Sequence, residues 1–164
     1  MLKIYNTHNS KNNLFLVSEE ISKYATKKMT PEMTKDAKSR FNIICNYSKR
    51  KEENIPNTGS YYNTNLCLHL MRKTFKKSGN DSYDSFLRIK KSKLAEIFEG
   101  KKQVKITCLG GGPGSDLTGA LTYCLDNEIG QEFGCTVLDF NSEEWSKAAK
   151  EILEKSYKKI LKKG

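Results

Sequence analysis

Four glycines and one aspartate in the second half of the chain are the residues whose types and spacing predict chemistry. The glycines stand together in the stretch ITCLGGGPGSDLTG (106–119): Gly110, Gly111, Gly112 and Gly114. Because glycine has no Cβ, such a loop can adopt positive φ angles and let a ligand lie against its backbone. Asp139 ends the next apolar run, where a carboxylate can accept hydrogen bonds from ribose hydroxyls. The pattern predicts a site for a nucleotide-like ligand.

Dinucleotides are one class of ligand that uses such a loop. Their sites need the spacing G-x-G-x-x-G/A, in which the third small residue lets the helix approach the strand. In that register the chain offers Gly110, Gly112 and Ser115, an imperfect match. Asp139 also comes 29 residues after Gly110, instead of about 20 after the fingerprint. A dinucleotide-binding fragment is therefore an alternative that fits less well.

The second class of ligand is indicated by a family resemblance. The stretch VKITCLGGGPGSDLTGAL, followed by CTVLDF, resembles motif I and the next acidic strand end of class I S-adenosylmethionine-dependent methyltransferases. The resemblance implies that the glycine loop, Gly110 to Gly114, lines the cofactor and that Asp139 binds its ribose. It also implies that Ser115 and Asp116 lie beside the loop, at the N-terminus of the following helix. A carboxylate is favoured there by the helix dipole.

Two departures from the family pattern bear on activity. Many members carry an acidic residue two places before the first glycine, where this chain has Cys108. After Asp139 the sequence predicts one more helix, without the family's acceptor-side motif or its adenine-side contact. We therefore expect a truncated or reduced methyltransferase, or one whose other half is supplied by a second chain. No catalytic residue is predicted.

Two short strands and two helices would position these residues. Residues 104–109 and 135–139 are apolar runs typical of buried parallel strands, and residues 115–127 predict a helix between them. Asn141 would cap a last helix, with Glu144 completing a capping box. Trp145 and the apolar residues that follow it would form the inner face of that helix.

The first hundred residues predict helices joined by polar loops. Four helical stretches are expected: 18–29, 31–47, 60–77 and 81–99. Pro31 after Thr30 marks the second start, the run SGND (78–81) ends the third helix, and Gly100 caps the fourth. The aromatic pair Tyr61 and Tyr62 is either ordinary packing or a stacking platform.

These elements predict an α/β protein with an incomplete sheet. A helical region precedes the first β-α-β-α unit of a Rossmann-like methyltransferase sheet. We expect residues 1–100 to form a basic helical extension and residues 101–164 a partial Rossmann-like cofactor-binding unit. Because two strands with open edges are poorly stable alone, the N-terminal helices, a second copy or a partner chain should cover the sheet.

Charge is distributed unevenly along the chain. Residues 1–100 hold 19 Lys and Arg against 10 Asp and Glu, whereas residues 101–164 hold 10 against 9. A basic half beside a nearly neutral half predicts an anionic partner for the first half, nucleic acid before protein. Solvated surface lysines are the plainer interpretation.

Several classes of protein are not expected. The sequence has no apolar run of about 18 residues and no apolar signal core near its start, so we expect neither a membrane span nor secretion. The five cysteines form no C-x-x-C pair, and we expect free thiols and no metal. The expected location is the cytoplasm or the nucleus.

Two functions from different classes follow. The first is an S-adenosylmethionine-binding, methyltransferase-like protein. The sequence does not show whether it is an active enzyme, or which molecule would accept the methyl group. The second is a catalytically inactive basic module that binds nucleic acid or a protein partner.

Overall fold

Two parallel strands and six α-helices form the part of the chain that the computed structural model describes, residues 10–49, 61–89 and 91–161. In chain order the elements are α1 (Ser10–Lys28), α2 (Pro31–Lys49), α3 (Thr64–Arg88), α4 (Lys91–Phe98), β1 (Gln103–Leu109), α5 (Ser115–Asp126), β2 (Glu132–Leu138) and α6 (Ser142–Leu161). The mixed α/β class is confirmed, with helix far in excess of strand.

The sheet consists of β1 and β2, paired in parallel as predicted. Side chains alternate along both strands, and the pairs Val104–Phe133 and Ile106–Cys135 belong to a cluster with α5. The opposite face is exposed and polar along most of its length. The strands, which the sequence predicted to be buried, are therefore buried on one face only, the face that α5 covers.

An apolar patch remains on the open side, where the strands end. Leu109 and Leu138 are register partners and are exposed, and Phe140 is fully exposed in the turn after β2. A partner for this surface stays a prediction.

Helix α3 is continuous where the sequence predicts a stop at residues 78–81. Gly79 is buried in its interior, and a Cβ built on Gly119 of α5 would collide with the Gly79 carbonyl oxygen. The glycines therefore permit close contact between two helices instead of ending one of them. The separate helix predicted over 81–99 is wrong: Asp81 to Arg88 belong to α3, and a short α4 follows.

Two hydrophobic clusters form the core, and α3 contributes to both. The first cluster joins the first half of α3 to α1 and α6 through residues such as Ile21, Phe75 and Trp145. The second joins β1, β2 and α5 to Tyr83 and Phe86 of α3. Helix α6 packs mainly on α1 and α3, and each of the two clusters contains residues from before and after residue 100.

Local signals at the helix ends have mixed outcomes. Thr30 caps α2 as predicted, because its Oγ1 accepts a hydrogen bond from Met33 N at 3.2 Å. Gly100 follows α4 with a φ of +70°, as the predicted C-cap requires. Three apolar side chains on the helical faces indicated by the sequence are exposed: Phe41, Leu87 and Ile97. The side chains of Tyr47, Leu94, Tyr157 and Ile160, which the sequence also places on such faces, are outside what the structure describes, although their helices are within it.

Candidate functional site

The glycine loop connects β1 to α5 and needs glycine for its backbone conformation. Gly110, Gly112 and Gly114 have φ angles of +64°, +49° and +83°. Residues with a Cβ adopt this left-handed region at a cost of about 1–2 kcal/mol each. The G-x-G-x-G spacing is therefore explained by the turn itself, whether or not a ligand binds.

Two glycines of the loop also permit close packing. A Cβ on Gly111 would lie 2.9 Å from both Cys108 Cβ and Val137 Cγ1, so the loop rests directly on the strand ends. A Cβ on Gly112 would lie 3.2 Å from Cζ2 of the Trp145 indole in α6. The loop is thus fitted to β2 on one side and to α6 on the other.

Hydrogen bonds within the protein use the N–H groups of the loop. Gly110 N and Gly111 N donate to Leu138 O at 2.7 and 3.4 Å, and Gly114 N donates to Gly111 O at 2.8 Å. Gly112 N donates to Asp139 Oδ2 at 3.0 Å. Pro113 has no N–H. A ligand here would meet glycine Cα surface more than free donors, which is unlike the donor-rich cradle of a pyrophosphate site.

Asp139 lies just after β2 and is half-buried. Besides the bond from Gly112, its Oδ1 accepts a hydrogen bond from Asn141 N at 2.8 Å. The predicted capping box is therefore wrong: Asp139, and not Glu144, receives the Asn141 N–H. Glu144 accepts instead from Thr64 Oγ1 of α3 at 2.9 Å and from Lys147 Nζ.

A cleft of about 290 Å³ opens between the glycine loop and α6. Gly112, Pro113, Gly114 and Leu117 line one side, and Val137 and Asp139 line the strand end. The other side is a stripe of α6: Ser142, Trp145, Ser146, Ala149, Lys150, Leu153 and Glu154. The cleft lies at the carboxyl ends of two parallel strands, where open α/β sheets bind ligands.

The predicted site residues divide into two groups. Gly112, Gly114 and Asp139 line the cleft, whereas the other four do not: Gly110, Gly111, Ser115 and Asp116. Ser115 is buried in the first turn of α5. Desolvation and then Asp81 of α3 raise the pKa of Asp116, whose backbone carbonyl accepts a hydrogen bond from Ser82 Oγ of α3 at 3.0 Å.

The α6 wall of the cleft was not predicted. The sequence predicted an ordinary packing face that includes Trp145 and Ala149, and it indicated no role for Ser142 and Ser146. Helical spacing does place Ser142, Ser146 and Ala149 along one stripe. Only the position of α6 across from the loop makes that stripe part of a cleft.

Tyr62 is the residue of the predicted aromatic pair that lies near the cleft. Its ring centroid is 6.2 Å from that of Trp145. Burial, and then Cys67 and Asp139, raise the pKa of its phenol. Tyr62 therefore packs behind the cleft, beside Trp145, and is not among the residues that line it.

Other kinds of site find little support. Within the described ranges, no three His, Cys, Asp or Glu side chains are grouped so that they could hold a metal ion. None of the helices in those ranges combines the length and apolar character that a membrane span needs. Comparison with known proteins finds no family model, no curated protein and no solved structure that matches the chain.

Proposed function

We propose that the chain binds S-adenosylmethionine, or its demethylated product, in the cleft between the glycine loop and α6. One observation carries the proposal: Gly112, Gly114 and Asp139 line a single cleft at the carboxyl ends of β1 and β2. The order β1–α5–β2 is also how a Rossmann-like sheet would begin. Ligand binding, and not methyl transfer, is the function proposed.

Asp139 has the capacity to bind ribose while it holds the loop. An ionised carboxylate offers about four acceptor positions on its two oxygens. Backbone N–H groups of Gly112 and Asn141 take one position on each oxygen. The remaining positions can accept the two ribose hydroxyls, and the backbone bonds fix the carboxylate in advance of binding.

The size of the cleft predicts weak binding. Sites that enclose most of a small ligand measure about 300–1,000 Å³, and this cleft of about 290 Å³ lies at the lower limit. Part of the cofactor would therefore remain in solvent. Methyl transfer depends on holding the acceptor in line with the methyl group. Since no described residue is assigned that task, catalysis is not part of the proposal.

The dinucleotide alternative has less support. A pyrophosphate needs several backbone donors at the loop and helix N-terminus. The N–H groups of Gly110, Gly111, Gly112 and Gly114 already bond to protein oxygens. A ligand that has a ribose but no diphosphate needs fewer backbone donors from this loop than a dinucleotide does.

Calorimetry with a blocked cleft tests the proposal. Ser146 is exposed on the α6 wall, so Ser146→Trp should fill the cleft without disturbing the loop, and Ser146→Ala is the matched control. We expect wild type and Ser146→Ala to bind S-adenosylmethionine and Ser146→Trp to lose binding. NAD should not compete.

Two results would overturn the proposal. One is a folded wild-type chain that binds nothing at millimolar S-adenosylmethionine. The other is a Ser146→Trp variant that binds as wild type does, since the ligand would then lie elsewhere. Competition by NAD at lower concentration than S-adenosylmethionine would favour the dinucleotide alternative instead.

A further inference from the structure

A group of basic side chains lies between α2 and α3, away from the cleft. It consists of Lys38 on α2 with His69, Arg72 and Lys73 on α3, here called the α2–α3 cation cluster. The Arg72 Nη2 and His69 Nδ1 atoms are 3.4 Å apart. Lys73 lies one turn after His69 on α3, and Lys38 lies one turn before Phe41 on α2, whose ring centroid is 6.1 Å from that of His69; both lysines are exposed. The four side chains therefore share one region of the surface.

The charges in this cluster are not compensated by the protein. Among the described residues, Lys38, Arg72 and Lys73 form no ion pair, whereas the nearby Arg40 binds Asp36 with a 2.8 Å contact. Desolvation, then Arg72, Lys73 and Lys38, lower the pKa of His69, and no carboxylate is among these influences. Neighbouring like charges without a counter-charge repel each other and destabilise a fold. A bound anion would reduce this repulsion in the cluster.

Arg72 is left with an unsatisfied donor. Its Nε is buried and has no hydrogen-bond partner within the described chain. His69 is neutral near pH 7 because its pKa is lowered, so its Nδ1 can accept from the guanidinium. This contact holds Arg72 in place while leaving its positive charge unpaired. The buried Nε cannot reach a ligand in solution, but a guanidinium whose charge is unpaired in the protein can bind a phosphate through its terminal nitrogens.

An aromatic ring borders the cluster. Phe41 of α2 is 37% exposed, and its ring centroid lies 6.1 Å from that of His69. The ring of Phe41 therefore remains partly in solvent next to His69 of the cluster. Cations that follow a phosphate backbone, together with an aromatic ring on which a base can stack, are the features of single-strand binding surfaces.

We propose that the α2–α3 cation cluster and Phe41 bind single-stranded nucleic acid. Lys38, Arg72 and Lys73 contact phosphates, and Phe41 stacks against a base. An acidic protein segment would satisfy the cations but would gain nothing from a planar stacking surface. This inference is independent of the proposed cofactor site, because no residue of the cluster lines the cleft.

Fluorescence anisotropy with a labelled single-stranded oligonucleotide tests the proposal over a range of salt concentrations. The double variant Lys38→Gln/Lys73→Gln removes two exposed charges from the cluster. Its control, Lys101→Gln/Lys102→Gln, removes two exposed charges from the segment before β1. The cluster variant should lower the slope of log affinity against log salt by about 1.4, because each lost contact with a phosphate of a single strand lowers it by about 0.7. The control should bind as wild type does.

Phe41→Leu separates stacking from charge. Loss of one stacked base is worth about 1–3 kcal/mol, which corresponds to about a 5- to 150-fold loss of affinity. The salt slope should stay unchanged, since no cation is removed. Wild-type protein that fails to bind at low salt, or equal losses in the cluster variant and its control, would overturn the proposal. So would displacement of the oligonucleotide by polyphosphate or polyglutamate as effectively as by unlabelled single strand.

Discussion

Asp139 Oδ2 accepts a hydrogen bond from the backbone N–H of Gly112 at 3.0 Å, across 27 residues of chain. Its other oxygen binds the N–H of Asn141. The carboxylate thus joins the glycine loop to the turn that leads into α6. The residue expected to bind ribose also holds the two sides of its own cleft together.

Asp139→Ala should therefore destabilise the protein even without ligand. Hydrogen bonds to a charged group contribute about 1.5–3 kcal/mol each, and we expect the free energy of unfolding to fall by at least about 1.5 kcal/mol. Urea denaturation measures the change. Glu154→Ala is the control, because this carboxylate lies on the same cleft but is exposed. Equal stability of Asp139→Ala and wild type would show that the two backbone bonds contribute nothing.

Gly112 and Trp145 should be energetically coupled. Gly112→Ala adds a methyl group 3.2 Å from the indole, in addition to the strain of a positive φ. Trp145→Phe shortens the ring and should relieve the contact but not the strain. In a double-mutant cycle we expect a coupling energy of about 0.5 kcal/mol or more, with the double variant more stable than the sum of the single changes predicts. Strict additivity would mean that the two side chains do not meet.

Gly119→Ala should weaken the contact between α3 and α5. The added Cβ would collide with the Gly79 carbonyl oxygen, and overpacking of this kind costs about 1–3 kcal/mol. Asn80→Ala, at an exposed position in the same turn of α3, should leave the free energy of unfolding unchanged or slightly higher. A stable Gly119→Ala protein with an unshifted urea midpoint would contradict the close helix crossing.

Buried thiols should make the protein sensitive to alkaline pH. Burial raises the pKa of Cys67 to about 12 and that of Cys124 and Cys135 to about 11. The thiols of the unfolded chain ionise at about pH 8.5, whereas those of the folded protein stay protonated to higher pH. Below about pH 8.5 the thiols are protonated in both states, so they do not lower the free energy of unfolding. It should fall as the pH rises from there towards 11.

Urea denaturation at several pH values, under reducing conditions, measures this dependence. Cys67→Ala should reduce the downward slope by up to about 1.4 kcal/mol per pH unit, since one proton fewer is released on unfolding. Val17→Ala is the control, because it also opens space in the first cluster but removes no titratable group. The same slope in Cys67→Ala and wild type would show that Cys67 ionises alike in both states.

Short-range signals predicted the glycine loop, the two parallel strands and the start of α2. Each depends on a residue's effect on its own backbone, as at Pro31 or Gly110. The continuity of α3 could not be predicted, because Gly79 looks the same in sequence whether it ends a helix or meets another helix. The contact with Gly119, 40 residues further on, is what shows that Gly79 permits close helix packing and does not end α3.

The sequence predicted one side of the cleft, the glycine loop and the strand end, but not the other. Gly112, Gly114 and Asp139 were identified from spacing, but the internal bond between Gly112 and Asp139 was not, because a carboxylate that binds ribose and one that binds backbone have the same sequence signal. The α6 wall was missed for a different reason. Its apolar stripe was expected on the sheet, whereas Trp145 and Ala149 pack with α1 and α3.

The packing of α6 on α1 has a consequence for synthesis. Ser156 of α6 donates a hydrogen bond to Glu20 of α1 across 136 residues, and Tyr24 reaches Glu151 across 127. Helix α1 therefore emerges from the ribosome long before one of its packing partners exists. Until α6 follows, the part of α1 that α6 covers remains open to chaperones and to other nascent chains. Slowing translation through α6 should prolong chaperone contact with α1, although α1 itself is unchanged.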